Sequence, residues 1–419
     1  MSLRLLESTI TSVRRPARAA ALGLLVFAIA TAAPNVQFRD AENVGDTHLY
    51  QEYGEKVRNG KVPYADFYLE YPPAAIPVFV AATTGSSERY ATHSKWLQWL
   101  LGAGAIVLAV AALARAGERS RRLYVAAVLA AVSPVLLGRV TFTRFDFWPA
   151  LLTMAALVFA VGRQGRLAAA ALAVGTAAKV YPVVLLPLLA ARVARSAGRR
   201  EAILLVGIYT ALLLAIVAPF AAVGAGGLRF SLSVQLDRPL QIESLGGSLV
   251  LALGQLGLYE PTVVSSHGSQ NLAGSFPAAI AIVSSLIALA ALASVWILAR
   301  PTRGAVADGE LLTASAAAVA AFVAFGRVLS PQYLIWLIPI VPLARGNNGR
   351  AAAVLFLGAL AATQGWSQGR YGDVVALEPI VWLVLARNLI LAAVVALLIR
   401  QLAAGRRAYT TKPSTRRVT

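Results

Sequence analysis

The chain has 419 residues, of which 58% are hydrophobic and only 14% charged, with a mean hydropathy of +0.68. A water-soluble domain carries roughly 25% charged residues, so this composition implies a polytopic membrane protein. The absence of cysteine excludes disulfides, thiol chemistry and cysteine metal sites, and His48, His93 and His267 are too scattered to suggest a histidine-rich metal site. The net charge of +19 does not point to nucleic acid. The arginines cluster in short loops and tails between apolar stretches, the pattern by which cytoplasmic loops fix the orientation of a membrane protein.

Residues 1–18 form a basic head before an apolar first span at 19–35, read as retained and not as a cleaved signal. Basic residues ahead of that span place the N-terminus in the cytoplasm and residues 39–95 outside. This first external loop is the longest strongly polar run of the chain. It carries Asp40, Glu42, Asp46, Glu52, Glu55, Asp66 and Glu70, seven of the nineteen acidic residues. Residues 72–84 are apolar but too short to cross, and Tyr71-Pro72-Pro73 suits the start of a short interfacial helix. Further spans are expected at 96–114, 123–140 and 146–161. A hairpin of short segments follows at 167–178 and 180–194, then a span at 202–222. Residues 223–275 read as a second large external loop with an interfacial half-helix at 244–258. Spans at 276–299, 311–325, 334–343, 351–366 and 379–399 lead to a basic cytoplasmic tail, 400–419. The expectation is one all-α integral-membrane domain, 1–419, of about twelve crossings with both ends cytoplasmic.

This topology leaves a distinct set of charges outside or at outer span ends: Asp46, Asp66, Glu70, Arg144, Asp146, Lys179, Arg229, Asp237, Arg238, Glu243, His267, Arg327, Arg370 and Asp373. Charge near membrane depth is costly and is kept for a reason. Carboxylates and cations together suit a reaction on an anionic lipid at the outer leaflet.

Several segments also share an order and spacing with a known family. Gly45-Asp46, Tyr50, Gly60-Lys61-Val62-Pro63-Tyr64-Ala65-Asp66-Phe67 and Tyr71-Pro72-Pro73 resemble the first external loop of glycosyltransferase family 87. So do Arg144-Phe145-Asp146, Lys179-Val180-Tyr181-Pro182, Ser269-Gln270-Asn271 and Ser330-Pro331-Gln332-Tyr333. The resemblance runs from about residue 20 to 400, and it is the ordered set, more than any one motif, that is specific. It implies a GT-C fold, a polyprenyl-phosphate sugar donor and, as in members acting on phosphatidylinositol mannosides, mannosyl transfer to a lipid-linked glycan acceptor. It also implies an aspartate in the first loop as catalytic base.

The residues fit such chemistry on their own terms, since a carboxylate can deprotonate an acceptor hydroxyl while cations stabilise a departing phosphate. Asp46 is the candidate base, although the helical spacing of Leu49, Tyr53 and Val57 behind it equally predicts a helix N-cap. Lys179 and Arg327 are candidates for the donor phosphate, with snorkelling to the headgroup region as the competing role. Asp66, Glu70, Tyr71, His267, Gln332 and Tyr333 are candidate substrate contacts. Tyr71 also suits fixing the Pro-Pro turn, His267 a solvated loop, and Tyr333 with Trp336 packing or an interfacial belt. Arg144 and Asp146, two apart, are expected to pair. Without a DxD motif, a nucleotide-sugar donor with bound metal is not expected, nor is a metal or other cofactor. The expected partners are the lipid-linked donor, a glycolipid acceptor and the membrane lipids. A lipid-linked glycan polymerase or ligase and a flippase are the alternatives. The flippase is disfavoured because the charges sit at span ends and not at the membrane midplane.

Overall fold

The computed structural model describes residues 3–40, 45–83, 86–299 and 305–410. Glu42 of the acidic loop, Arg300, Arg303 and the tail residues Lys412, Arg416 and Arg417 lie outside the described residues. The chain opens with α1 (Leu3–Thr31), α2 (Thr47–Arg58), α3 (Ile76–Ala82), α4 (Ser87–Arg115), α5 (Arg122–Ala131) and α6 (Ser133–Leu137). Next come α7 (Phe147–Val161), α8 (Gly165–Ala178), α9 (Leu186–Ala197) and α10 (Arg199–Leu236). A strand β1 (Leu240–Gln241), helix α11 (Leu245–Gln255) and the hairpin β2 (Thr262–Ser266) and β3 (Ser269–Ala273) follow. The chain closes with α12 (Ser275–Leu298), α13 (Ala305–Phe325), α14 (Leu334–Leu337), α15 (Gly346–Ser367), α16 (Tyr371–Val375) and α17 (Val381–Thr410). The protein is thus mainly helical, as expected, with one small antiparallel sheet of order β1-β3-β2 that composition did not reveal.

Six stretches are long and apolar enough to cross a membrane: Arg89–Arg115, Arg122–Thr141, Arg199–Leu236, Ser275–Leu298, Asp308–Phe325 and Val381–Arg406. Their packing is the reverse of a soluble fold. The most apolar windows of α10 and α12 are only 11% and 22% buried, whereas that of α13 is 83% buried. Leu214, Ile282, Leu286 and Leu289 stand outward on α10 and α12. A continuous apolar exterior of this kind is stable only with lipid as the solvent. The central α13 packs against α12 and α17 through Ala314, Ala316, Ala317, Ala318, Ala320 and Ala321, all buried. Small side chains let helix backbones approach closely where apolar burial gives little driving force.

The expected second loop at 223–275 needs correction at its start. Helix α10 continues to Leu236, bent at Gly224 where φ is −145° and ψ 46°. The glycines that read as loop serve close packing: a Cβ on Gly224 or Gly227 would strike the backbone of Tyr64. The first loop therefore lies directly against α10. The β2–β3 hairpin pairs Ser266 with Ser269, so its turn is His267-Gly268, with φ of 52° and 67°. Two consecutive positive φ angles are the mark of a type I′ turn, whose twist matches that of the strands.

Candidate functional site

The site is assembled on the turn between Gly45 and α2. Gly45 holds φ at 65°, and a Cβ there would lie 2.8 Å from Arg144 Nη2, so only glycine brings the chain this close to the guanidinium. Asp46 occupies the N-cap position of α2, yet its side chain caps no amide. Its Oδ2 forms an ion pair with Arg144 Nη1 and accepts a hydrogen bond from the Tyr50 hydroxyl at 3.4 Å. Tyr50 is fixed by stacking on Phe79, centroids 4.7 Å apart, and by edge contacts with Tyr71 and Phe145. Burial, then Tyr71 and Asp46, push the Tyr50 phenol well above its ordinary pKa, so it remains a neutral donor to Asp46.

The expected Arg144–Asp146 pair does not form. Arg144 turns to Asp46, while Asp146 Oδ1 pairs with Lys179 Nζ at 2.6 Å and accepts from Trp336 Nε1, also at 2.6 Å. Phe145 between them carries the Lys179 ammonium over its ring at 4.7 Å. The rings of Trp336, Tyr333 and Tyr71 complete a cage around the same ammonium at 5.2, 5.5 and 5.9 Å. Trp336 is itself held between Tyr181 and Tyr333, stacked at 4.1 and 4.3 Å. Burial draws the Lys179 ammonium below its ordinary pKa, and Asp146 counters it. Lys179 is therefore not a cation snorkelling at a span end. Tyr71 and Tyr333 are cage walls as well as candidate substrate contacts.

Exposure sorts the four charges. The side chain of Asp46 is 35% exposed, Arg144 19%, Lys179 14% and Asp146 0%. Only Asp46 is open enough for a carboxylate oxygen to meet an incoming hydroxyl. Asp146 is a positioning residue, with Oδ1 shared by two donors and Oδ2 buried without a partner. An ammonium has three N–H donors, and Asp146 takes one.

A second layer comes from the end of α10 and the hairpin. Glu70 is half-buried. Burial pushes its carboxyl up, Arg238 draws it down, and the Asp46 charge raises it further. Arg238 Nη2 donates to the His267 carbonyl at 3.0 Å, and the Gly268 turn lies against the Glu70 carboxylate. Glu70 and His267 thus stand beside the Asp46 cluster, though His267 contributes its backbone to Arg238 and its Nδ1 is buried without a partner. Asn271 of the Ser-Gln-Asn segment pins the hairpin, donating to the Ser266 carbonyl at 2.7 Å.

Arg327 and Asp66 do not join the cluster. Arg327 Nη2 donates to the Leu236 carbonyl, and its own carbonyl accepts from Gln241 N at 3.0 Å. It therefore ties α13 to β1. Gln241 also holds Leu329 N and Ser330 Oγ, setting the turn from which half-buried Gln332 and Tyr333 project. Exposed Asp66 accepts from Val62 N at 2.7 Å and closes its own loop turn. Among the described residues no three His, Asp or Glu side chains stand close enough to share a metal ion.

Sequence reasoning listed Glu243 as one outer charge among many and missed its setting. Burial pushes its carboxyl up to about 7, with Arg387 and a hydrogen bond to Tyr371 opposing the rise. Arg387 Nη2 and Asn388 Nδ2, from the distant α17, both donate to the Glu243 carbonyl, at 2.8 and 3.1 Å. Arg387 also lies 5.3 Å from the Trp366 ring centroid. The local signal was a lone acid between apolar runs, and its partners lie 144 positions or so away in sequence. No protein-family model matches the chain, and no curated protein matches it.

Proposed function

We propose that this chain is an inverting glycosyltransferase of GT-C architecture. It transfers a hexose, in the first instance mannose, from a polyprenyl-phosphate donor to a lipid-linked glycan acceptor of phosphatidylinositol-mannoside type. The reading includes about twelve crossings, counting the shorter apolar helices with the six long ones, cytoplasmic termini and a site on the outer face. One observation carries it. Gly45-Asp46, Tyr71, Arg144-Phe145-Asp146, Lys179 and Tyr333, the segments that resemble glycosyltransferase family 87, meet in a single cluster of two interlocked ion pairs. Sequence-distant segments that merely stabilised separate helices would have no reason to converge on one half-exposed carboxylate.

In this reading Asp46 takes the proton of the acceptor hydroxyl while the hydroxyl oxygen forms its bond to the sugar C1. The C1–O bond to the donor phosphate breaks, and the phosphate departs with the electron pair. Attack opposite the leaving group inverts the anomeric centre. Arg144 and Lys179 supply positive charge beside the departing phosphate, and the aromatic cage keeps Lys179 in place in a water-poor setting where such charge acts strongly. The step is assigned no metal. The test is transfer from radiolabelled polyprenyl-phosphate mannose to a lipid extract by purified protein. Asp46→Asn and Asp46→Ala are expected to lower the rate by roughly 10²–10⁴-fold. Wild-type rates in both variants would remove Asp46 as the base, and activity only with a nucleotide sugar would remove the donor class.

A further inference from the structure

Helices α7 and α8 form an antiparallel hairpin with Asp146 and Lys179 at one end. The opposite end lies roughly 22 Å away, since α7 has 15 residues at about 1.5 Å rise each. There the structure holds a cavity of about 420 Å³, lined by Arg163, Arg166 and Arg192 against a single carboxylate, Glu201. The Arg166–Glu201 pair is loose, 3.3 Å apart with both side chains well exposed. The amides of Gly165, Arg166 and Leu167 precede the first helical hydrogen bond of α8, from Ala168 N to the Gln164 carbonyl. Gln164 offers no side-chain cap, and the first turn has no acid. Three unpaired amides and a positive helix end thus open onto arginines, an arrangement that repels itself unless an anion sits between them.

Arg192 points independently to a ligand. It is 7% exposed and pairs through Nη2 with Asp308, yet its Nε is buried in the cavity wall without a partner. The rim is apolar on one side, where Leu167 is exposed, as is Ile203 one turn into α10. We propose that this cavity binds the phosphodiester headgroup of an anionic membrane lipid. Arg163, Arg166 and Arg192 Nε meet the phosphate oxygens, the α8 amides complete the cradle, and the acyl chains run along Leu167 and Ile203. Arginine suits phosphate because its planar N–H fork donates in pairs. The inference rests on the chain being embedded in lipid and is independent of the sugar-transfer reading.

The test uses the full chain in nanodiscs of phosphatidylcholine with added phosphatidylglycerol, scored by native mass spectrometry and by titration of fluorescent phosphatidylglycerol. Wild type should hold phosphatidylglycerol in preference to phosphatidylcholine, and the double variant Arg163→Gln/Arg166→Gln should bind it about tenfold more weakly. A charge-matched control, Arg195→Gln/Arg200→Gln, alters exposed arginines outside the cavity and should bind like wild type. Millimolar inorganic phosphate should not displace the lipid. Equal binding of both lipids, equal losses in variant and control, or displacement by inorganic phosphate would each overturn the proposal. Should the double variant unfold, Arg163→Gln alone, in an exposed turn, carries the same test with a smaller loss.

Discussion

Asp146→Asn isolates the claim that the buried pair with Lys179 is structural support for the site. The substitution keeps shape and an acceptor oxygen for Trp336 but removes the charge that Lys179 contacts at 2.6 Å in a setting with 0% exposure of the aspartate. Removing one member of a buried ion pair typically costs about 3–5 kcal/mol, because the other charge is left without compensation. The four rings around Lys179 retain part of its stabilisation, at roughly 0.5–2 kcal/mol for a cation–π contact. The expected loss is therefore near the lower bound, about 3 kcal/mol. The double variant Asp146→Leu/Lys179→Met should recover most of that, since a buried pair and an apolar pair of similar volume are often nearly equivalent in stability. Reversible denaturation of the purified chain in mixed micelles measures both values. A single-variant loss below about 1 kcal/mol, or a double variant no more stable than the single one, would refute the reasoning.

Three further predictions follow from other positions. Glu243 titrates near 7 when folded and near 4.5 when exposed, so between those values the native state holds a proton that the unfolded chain has released. Stability should therefore fall as pH rises from 4.5 to 7, by at most roughly 3 kcal/mol from this group. Melting curves from pH 5 to 8 should show a flatter dependence in Glu243→Gln, and equal slopes would count against the assignment. Gly45→Ala meets both a positive φ and the Arg144 guanidinium; it should cost about 1 kcal/mol of stability and reduce transfer more than that loss explains. On α10, Gly227→Ala should destabilise by roughly 1–3 kcal/mol because its Cβ meets the Tyr64 backbone, whereas Gly226→Ala, with open space around it, should be neutral or slightly stabilising in the same melting assay.

What the sequence disclosed and what it hid have physical reasons. The apolar stretches, the acidic first loop and the set of motif segments were legible because each is a local pattern. Pairing was not. Arg144 and Asp146, two apart at the entrance to a helix, leave the backbone in nearly opposite directions and face different partners. The reach of α10 was hidden by its glycines, which resemble loop composition until Tyr64 is seen packed on them. Asp66 looked like a site residue because it is acidic and near Asp46 in sequence, but the Val62 amide four positions back holds it. Glu243 depends on Arg387 and Asn388 of α17, a contact that no local window contains.

The α7–α8 hairpin shows why charges collect at both of its ends. Asp146 stands at the N-terminus of α7 and Lys179 at the C-terminus of α8, side by side because the helices are antiparallel. Each charge therefore faces the helix end of opposite sign, worth roughly 0.3–1 kcal/mol apiece and more when partly buried. Helix ends thus reinforce the ion pair that holds the site. At the other end the rule is kept by Arg163, which follows the C-terminus of α7, and broken by Arg166, which stands in the first turn of α8. An anion between them reverses that penalty. The same pair of helices therefore needs no outside charge beside Asp46 and calls for one beside Arg166, which is why the two ends are assigned different tasks.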